Sequence, residues 1–276
     1  MNITAQQVNE LRKATGAGMM DCKKALIEAE GDMEKAIDVL RKKGQKVAAN
    51  RADRAASEGV VLAKTSADGK FAGIVMINCE TDFVAKNADF VDYVQSVLDV
   101  AVENQAKNAE ELAAMSVNGR LISETIVDQT GVIGEKIEIG RYACVCGEST
   151  FAYIHPGNRI ATVVAFNKAG EQLAQAGKDV AMQAAAMAPI ALDKGDVAQD
   201  VIDREIEIGK DQARQEGKAE EMLEKIAIGK LNRFYKDNTL LNQTFIKDSK
   251  KSVAEYLNDT EKGLTVTDFK RFALGA

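Results

Sequence analysis

A chain of 276 residues, 46% hydrophobic and 28% charged, has globular rather than disordered composition and is too long for one ordinary core, so two or three domains are expected. The net charge of −6 is unevenly spread, with 11 Lys/Arg against 8 Asp/Glu in residues 1–54 and 25 against 34 in the remainder, which gives no basic patch of the strength that nucleic-acid binding requires. No apolar run approaches the ~20 residues of a membrane span, residues 1–10 lack a signal-peptide layout, and four irregularly spaced cysteines imply no disulfide framework, so a reducing cytoplasm is the expected setting.

The first elements are helical. Thr4 and Gln7 form a capping-box pattern, after which Val8 and Leu11 recur at helical spacing. Thr15-Gly16-Ala17-Gly18 interrupts, because two glycines in four residues favour a loop. A second helix is expected from Met20 through Ala25, Leu26 and Ala29 to a glycine stop at Gly31. Asp32 can cap a third that carries Met33, Ala36, Ile37 and Leu40 on one face and is closed by Gly44. Residues 45–56 then read as a basic, Ala-rich helix leading into the body. Met19 and Met20 stand beside the glycine turn, where methionine serves equally as core filler or as an adaptable contact.

The body reads as two similar halves. Gly59–Lys64 and Phe71–Cys79 are strand-like runs joined by Asp68-Gly69, a hairpin signal. A helix follows from Asn87, with Phe90, Val91, Val94, Val97, Leu98 and Ala101 at helical spacing, and shorter helices are expected over Ala109–Met115 and Leu121–Gln129. The second half starts with strands near Lys136–Cys146, Thr150–His155 and Arg159–Phe166, followed by a helix over Glu171–Met187. Residues 197–229 break at Gly217 and read as a charged helical hairpin, of the kind that pairs with a second copy or packs on its own domain. Strands near Phe245-Ile246 and Phe269–Leu274 flank a last helix over Ser252–Leu257. The fold class is therefore α+β.

Groups for catalysis are scarce. His155 is the sole histidine and precedes Pro156-Gly157 in a turn, without a motif-level Ser or Cys partner. Cys144 and Cys146 occupy alternate strand positions, and no second Cys/His pair completes a metal set. Gly16-Ala17-Gly18 lacks the Lys-Ser/Thr ending of a phosphate loop and follows a helix. These features point to a non-enzyme without metal or other cofactor. One residue is out of place: Phe83, within Thr81-Asp82-Phe83-Val84, falls in the connection between a strand and a helix. Spacing leaves it either tucked over the end of the core or offered to a partner as an aromatic anchor.

Two stretches carry a family resemblance. Thr15-Gly16-Ala17-Gly18-Met19-Met20-Asp21-Cys22-Lys23-Lys24-Ala25-Leu26 resembles the N-terminal signature of the bacterial elongation factor Ts family. Asn78-Cys79-Glu80-Thr81-Asp82-Phe83-Val84-Ala85 resembles its second signature, and the likeness extends over nearly the whole chain. It implies an N-terminal three-helix, ubiquitin-associated-like module with linker (residues 1–54) and a two-part antiparallel α+β core (55–140 and 141–276). A helical hairpin insertion is implied near 192–230. It also implies nucleotide exchange on the GTPase elongation factor Tu. There Asp82 and Phe83, within Thr81–Val84, would act as a wedge that disturbs the partner's Mg²⁺ site, while the phosphate loop is also displaced. By the same resemblance Arg12, Met19, Met20 and Lys23 would contact a helix of that GTPase, and Ile133, Gly134 and His155 would add further contacts.

Two departures from the family stand out. Gln243-Thr244-Phe245-Ile246 has Thr244 where the family commonly has proline, and with Gly275-Ala276 following the last expected strand, the extra C-terminal module of some members is not expected here. Two other functions fit parts of the sequence: a module whose N-terminal helices capture nascent chains without exchange activity, and an enzyme dependent on Cys79.

Overall fold

The computed structural model describes residues 3–275. Helices α1 (Ala5–Thr15), α2 (Met19–Glu28) and α3 (Met33–Arg51) form the N-terminal module. The Thr4–Gln7 capping box is present, and Gly16 ends α1 in the left-handed region (φ 70°), with its N–H bonded to Arg12 O. Val8, Leu11, Cys22, Ala25, Leu26 and Ala36 are buried together as its core.

Gly44 does not close the third helix: α3 continues through it to Arg51 and absorbs the expected linker helix. The glycine marks a close approach instead of a stop. It is buried where α3 crosses a later helix, and a Cβ built on Gly131 of that helix would lie 2.4 Å from the Gly44 Cα. Glycine costs a helix about 1 kcal/mol relative to alanine, and here the missing side chain of Gly131 lets the two backbones touch.

The body begins with the hairpin β1 (Glu58–Thr65) and β2 (Phe71–Cys79), whose turn holds Gly69 at φ 69°. One-turn helix α4 (Asp82–Ala85), α5 (Ala88–Glu103), α6 (Ala109–Ala114), the small ribbon β3 (Ser116–Val117) and β4 (Arg120–Leu121), and α7 (Ile122–Ile133) follow. Next comes β5 (Glu138–Cys146), which pairs antiparallel with β2, so the first sheet has the order β1-β2-β5. The strand expected to open the second half thus completes the first sheet, and a division at residue 140 falls inside it. Pairing partners 60 or more residues apart leave no mark on local hydropathy, which is why chain order misled here.

The second sheet, β10-β7-β6, contains β6 (Ser149–Ile154), β7 (Ile160–Phe166) and the last strand. Between β7 and that strand come α8 (Ala174–Met187), the hairpin α9 (Gln199–Gln215) and α10 (Glu220–Asn238), the ribbon β8 (Thr244–Phe245) and β9 (Asp248–Ser252), and α11 (Val253–Thr260). The chain then runs into β10 (Val266–Ala273). Ile246 lies just outside β8 and is exposed. At the proline-replacing Thr244, Gln183 Nε2 donates to the Gln243 Oε1 and to Thr244 O at 3.1 Å each, which holds the local turn through side-chain bonds.

Strand alternation sorts the body into layers. Val60, Leu62, Val75 and Ile77 face α5, with its Phe90, Val94, Val97 and Leu98. Val61, Ala63, Ile74 and Met76 face the other way and meet Ala161, Val163, Ala165 and Phe272 of the second sheet. Val164 and Phe166 then turn from that seam toward Val180 and Ala184 of α8 and Leu257 of α11. The order is helices, sheet, sheet, helices, with three apolar layers between them. Because both faces of the central strands are covered, β2 is buried at all nine positions. The hairpin packs mainly on itself. Gly209 lies against Ala227, Leu223 and Leu231 are buried in the seam, and the second helix runs to Asn238, beyond the expected end near residue 230.

Candidate partner-docking surface

Phe83 points outward. Its relative exposure is 83%, against 58% for Met19 and 65% for Met20. The local cause is the one-turn helix α4, which stands where a plain connection is expected. Thr81 is its N-cap, with Oγ1 accepting from Val84 N, and Val84 and Ala85 pack against the α5 side of the core. Residues three and four of the turn therefore take the inward positions and leave Phe83, the second, on the outer side. Asp82 is paired with Lys86 at 2.6 Å, and that hydrogen bond holds its carboxyl below the usual carboxylate range.

The base of the turn is braced by carboxylates from other elements. Glu135, just past α7, accepts the N–H groups of Glu80 and Thr81 at 3.1 and 3.0 Å and the Thr81 hydroxyl at 2.7 Å. Glu80 accepts the Lys136 N–H at 2.6 Å and two bonds from Arg51 Nη1 at 2.7 and 2.9 Å. The Lys136 N–H, with the Arg51 guanidinium, holds the Glu80 carboxyl below its ordinary range. None of Glu135, Glu80 or Arg51 was singled out from sequence. Glu80 lies inside the Asn78–Ala85 signature, but its partners are 29 and 55–56 residues away along the chain.

The other expected contact residues fall into two groups. Gly134 caps α7 in the left-handed region (φ 79°) and lines a groove with Val47, Asn50, Arg51 and Arg54, so Ile133-Gly134 sits immediately before the brace. Ile133 is half-buried against the core. His155 is exposed, its Nδ1 3.0 Å from the Tyr153 hydroxyl, on a turn that contains Gly157 at φ 90° and Asn158 at φ 54°. That turn is tied to the first sheet by Val61 N–H donating to Asn158 O at 2.8 Å and by the Arg159–Glu58 ion pair. β1 also packs against α4, so the His155 turn and the Phe83 turn flank one strand. Arg12, Met19, Met20 and Lys23 are all exposed on the N-terminal module and form the second group.

Cys79 lies at the base of the Phe83 turn and is buried, with its Sγ 3.2 Å from Thr81 O. Burial, followed by the nearby Glu135 and Glu58 carboxylates, pushes the thiol up to about 12. At neutral pH it stays protonated, and a protonated buried thiol is a poor nucleophile. Titration of the native protein with a disulfide reagent at pH 8 should therefore label the exposed Cys146 first and reach Cys79 and Cys22 only on unfolding. Rapid native labelling of Cys79 would contradict this environment. Among the described residues, no group of three or more His, Cys, Asp or Glu is arranged to hold a metal, and no helix is long and apolar enough to cross a membrane.

These features define an α+β chain with an N-terminal three-helix module and an outward-facing, braced aromatic. The family model described as Elongation factor TS matches residues 80–276. The chain is 54% identical over 274 residues to Elongation factor Ts of Cytophaga hutchinsonii and 52% identical over 273 residues to that of Christiangramia forsetii, covering 99% of both chains in each case. It is 50% identical over 277 residues to the Porphyromonas gingivalis protein of the same name, covering 100% of each. This chain belongs to the elongation factor Ts family, and its role is that of a translation elongation factor.

Proposed function

We propose that the chain is a guanine-nucleotide exchange factor that binds elongation factor Tu carrying GDP, in the cytoplasm, and speeds release of the nucleotide without covalent chemistry of its own. The observation that carries this reading, beside family membership, is the 83% exposure of Phe83 on a braced turn. A large apolar side chain offered to solvent on such a support is suited to filling a pocket in a partner. In this reading Asp82 and Phe83 enter the GTPase domain and disturb its Mg²⁺ site, Thr81 and Val84 support them, and the phosphate loop shifts. Arg12, Met19, Met20 and Lys23 grip a helix of the same domain, while Ile133, Gly134 and His155 add contacts around the wedge.

The physics needs only a small displacement. Mg²⁺ demands near-ideal octahedral geometry and bridges nucleotide oxygens to the GTPase, so moving its supports weakens GDP binding. The coupling is reciprocal: whatever factor the wedge takes from GDP affinity, the nucleotide takes from the affinity of the wedge. An incoming GTP therefore expels the factor and completes the cycle.

The test is release of labelled GDP from elongation factor Tu in the presence of excess unlabelled nucleotide. Substoichiometric amounts of the chain are expected to accelerate release through many turnovers. Tight binding to elongation factor Tu without any change in the release rate would sink the reading.

A further inference from the structure

A four-residue helix has almost no stability of its own, since one turn fixes several dihedral angles for very few hydrogen bonds. The direction of Phe83 therefore depends on what holds the two residues that enter α4, Glu80 and Thr81. Both are held by groups outside their own segment. Glu135 uses one oxygen for the Glu80 and Thr81 N–H groups and the other for the Thr81 hydroxyl. Arg51, the last residue of α3, holds the Glu80 carboxylate, which also takes the Lys136 N–H. Hydrogen bonds to ionised carboxylates are shorter and roughly twice as strong as neutral ones. Without them α4 would fray, and Phe83 would no longer be held at one fixed angle.

From this geometry we infer that Glu135 is a positioning residue for the wedge, and that Arg51 ties the same orientation to the N-terminal helices. The inference rests on the exchange function proposed above. Glu135 does not need to touch the partner: it sets the angle at which Phe83 arrives. Arg51 joins the wedge to α3, which is itself packed against α7, the helix that leads into Glu135. The grip of the N-terminal module and the entry of the wedge are thereby parts of one framework.

A misaimed wedge has a signature that simple loss of contact does not. The remote contacts remain, so the concentration of factor giving half-maximal acceleration changes little, while the maximal rate of GDP release falls. The full-length chain is compared with Glu135→Ala, Glu135→Gln, Arg51→Met and Phe83→Ala, measuring labelled GDP release from elongation factor Tu over a range of factor concentrations. Glu135→Ala is expected to lower the maximal rate about tenfold or more, because misplacement by about 1 Å is enough for losses of that size. Its half-saturating concentration should stay within about threefold of the wild type, less than half of a tenfold step in affinity. Glu135→Gln keeps an oxygen for the two N–H groups and should recover most of the rate. Arg51→Met should show a smaller loss with the same pattern.

A wild-type maximal rate for Glu135→Ala overturns the inference. So does a Gln variant no faster than the Ala variant. If Glu135→Ala does not fold, Arg51→Met and Glu135→Gln decide: a full rate for Arg51→Met, or a Gln variant with weakened half-saturation and an unchanged maximum, overturns it. Full activity of Phe83→Ala brings down the exchange role of the wedge itself, whereas a slow Phe83→Ala beside a fast Glu135→Ala removes only the role given to Glu135.

Discussion

Phe83→Ala is expected to leave the folded chain as stable as the wild type while removing most of its effect on a GDP-bound partner. The side chain is 83% exposed, so truncating it takes little apolar surface out of a buried environment. Alanine also suits a helical position, and Thr81 still caps the turn. The change in unfolding free energy should remain within about 0.5 kcal/mol, as for most surface substitutions away from special features. In the complex the same ring would be fully enclosed. Truncating an aromatic anchor of that kind costs about 2–4 kcal/mol, or roughly 30- to 1000-fold in the interaction it drives. A thermal melt beside an exchange assay separates the two effects, and a variant that loses stability and activity in parallel would point to a core role for Phe83.

The second large effect is expected at the crossing of α3 and α7. A Cβ on Gly131 would lie 2.4 Å from the Gly44 Cα, a backbone-to-backbone overlap that no rotamer change relieves. Gly131→Ala should therefore push α3 away from α7 at a cost of about 1–3 kcal/mol, the usual range for overpacking, despite the gain in helix propensity. The reciprocal change is not equivalent. A Cβ on Gly44 meets Val127 O at 3.5 Å and the Gly131 Cα at 3.6 Å, which is ordinary contact. Gly44→Ala should be tolerated, and Gly229→Ala in α10, whose added Cβ meets nothing within 4 Å, should if anything stabilise that helix. Amide hydrogen exchange over α1–α3 distinguishes these cases: faster exchange is expected for Gly131→Ala alone. Equal protection in all three would mean that the glycine contact does not hold the N-terminal module in place.

The two glycines also show how far local pattern carries. Amphipathic spacing located α1, α2 and α5, and Asp68-Gly69 located the first hairpin, because each signal lies within one element. Local pattern makes Gly44 a helix stop, since conformational freedom is the usual reason for a glycine. Its real neighbour, Gly131, lies 87 positions further on in α7. The same limit applies to β5, whose strand character was evident but whose partner β2 was not.

At the Phe83 turn, sequence pattern alone favours a core position over a contact. The deciding fact is three-dimensional: Val84 and Ala85 fill the inward positions of a turn that Thr81 caps. The brace was the least legible part of the surface. Glu135 and Glu80 look like any other acidic residues in a chain with 42 of them, and only the fold brings them together with Thr81 and Arg51. Met19 and Met20 illustrate the opposite case: for a residue type equally common in cores, exposure alone places both outside the core.

The central claim is that an outward-facing Phe83 drives nucleotide release and is not merely one contact among several. It is tested most directly by the maximal rate of labelled GDP release from elongation factor Tu, measured with saturating wild type and with saturating Phe83→Ala. The wild type should accelerate release strongly, and the variant should retain at most about a tenth of that acceleration while still binding, in keeping with the loss of an anchor residue. Equal maximal acceleration by the two proteins would contradict the claim.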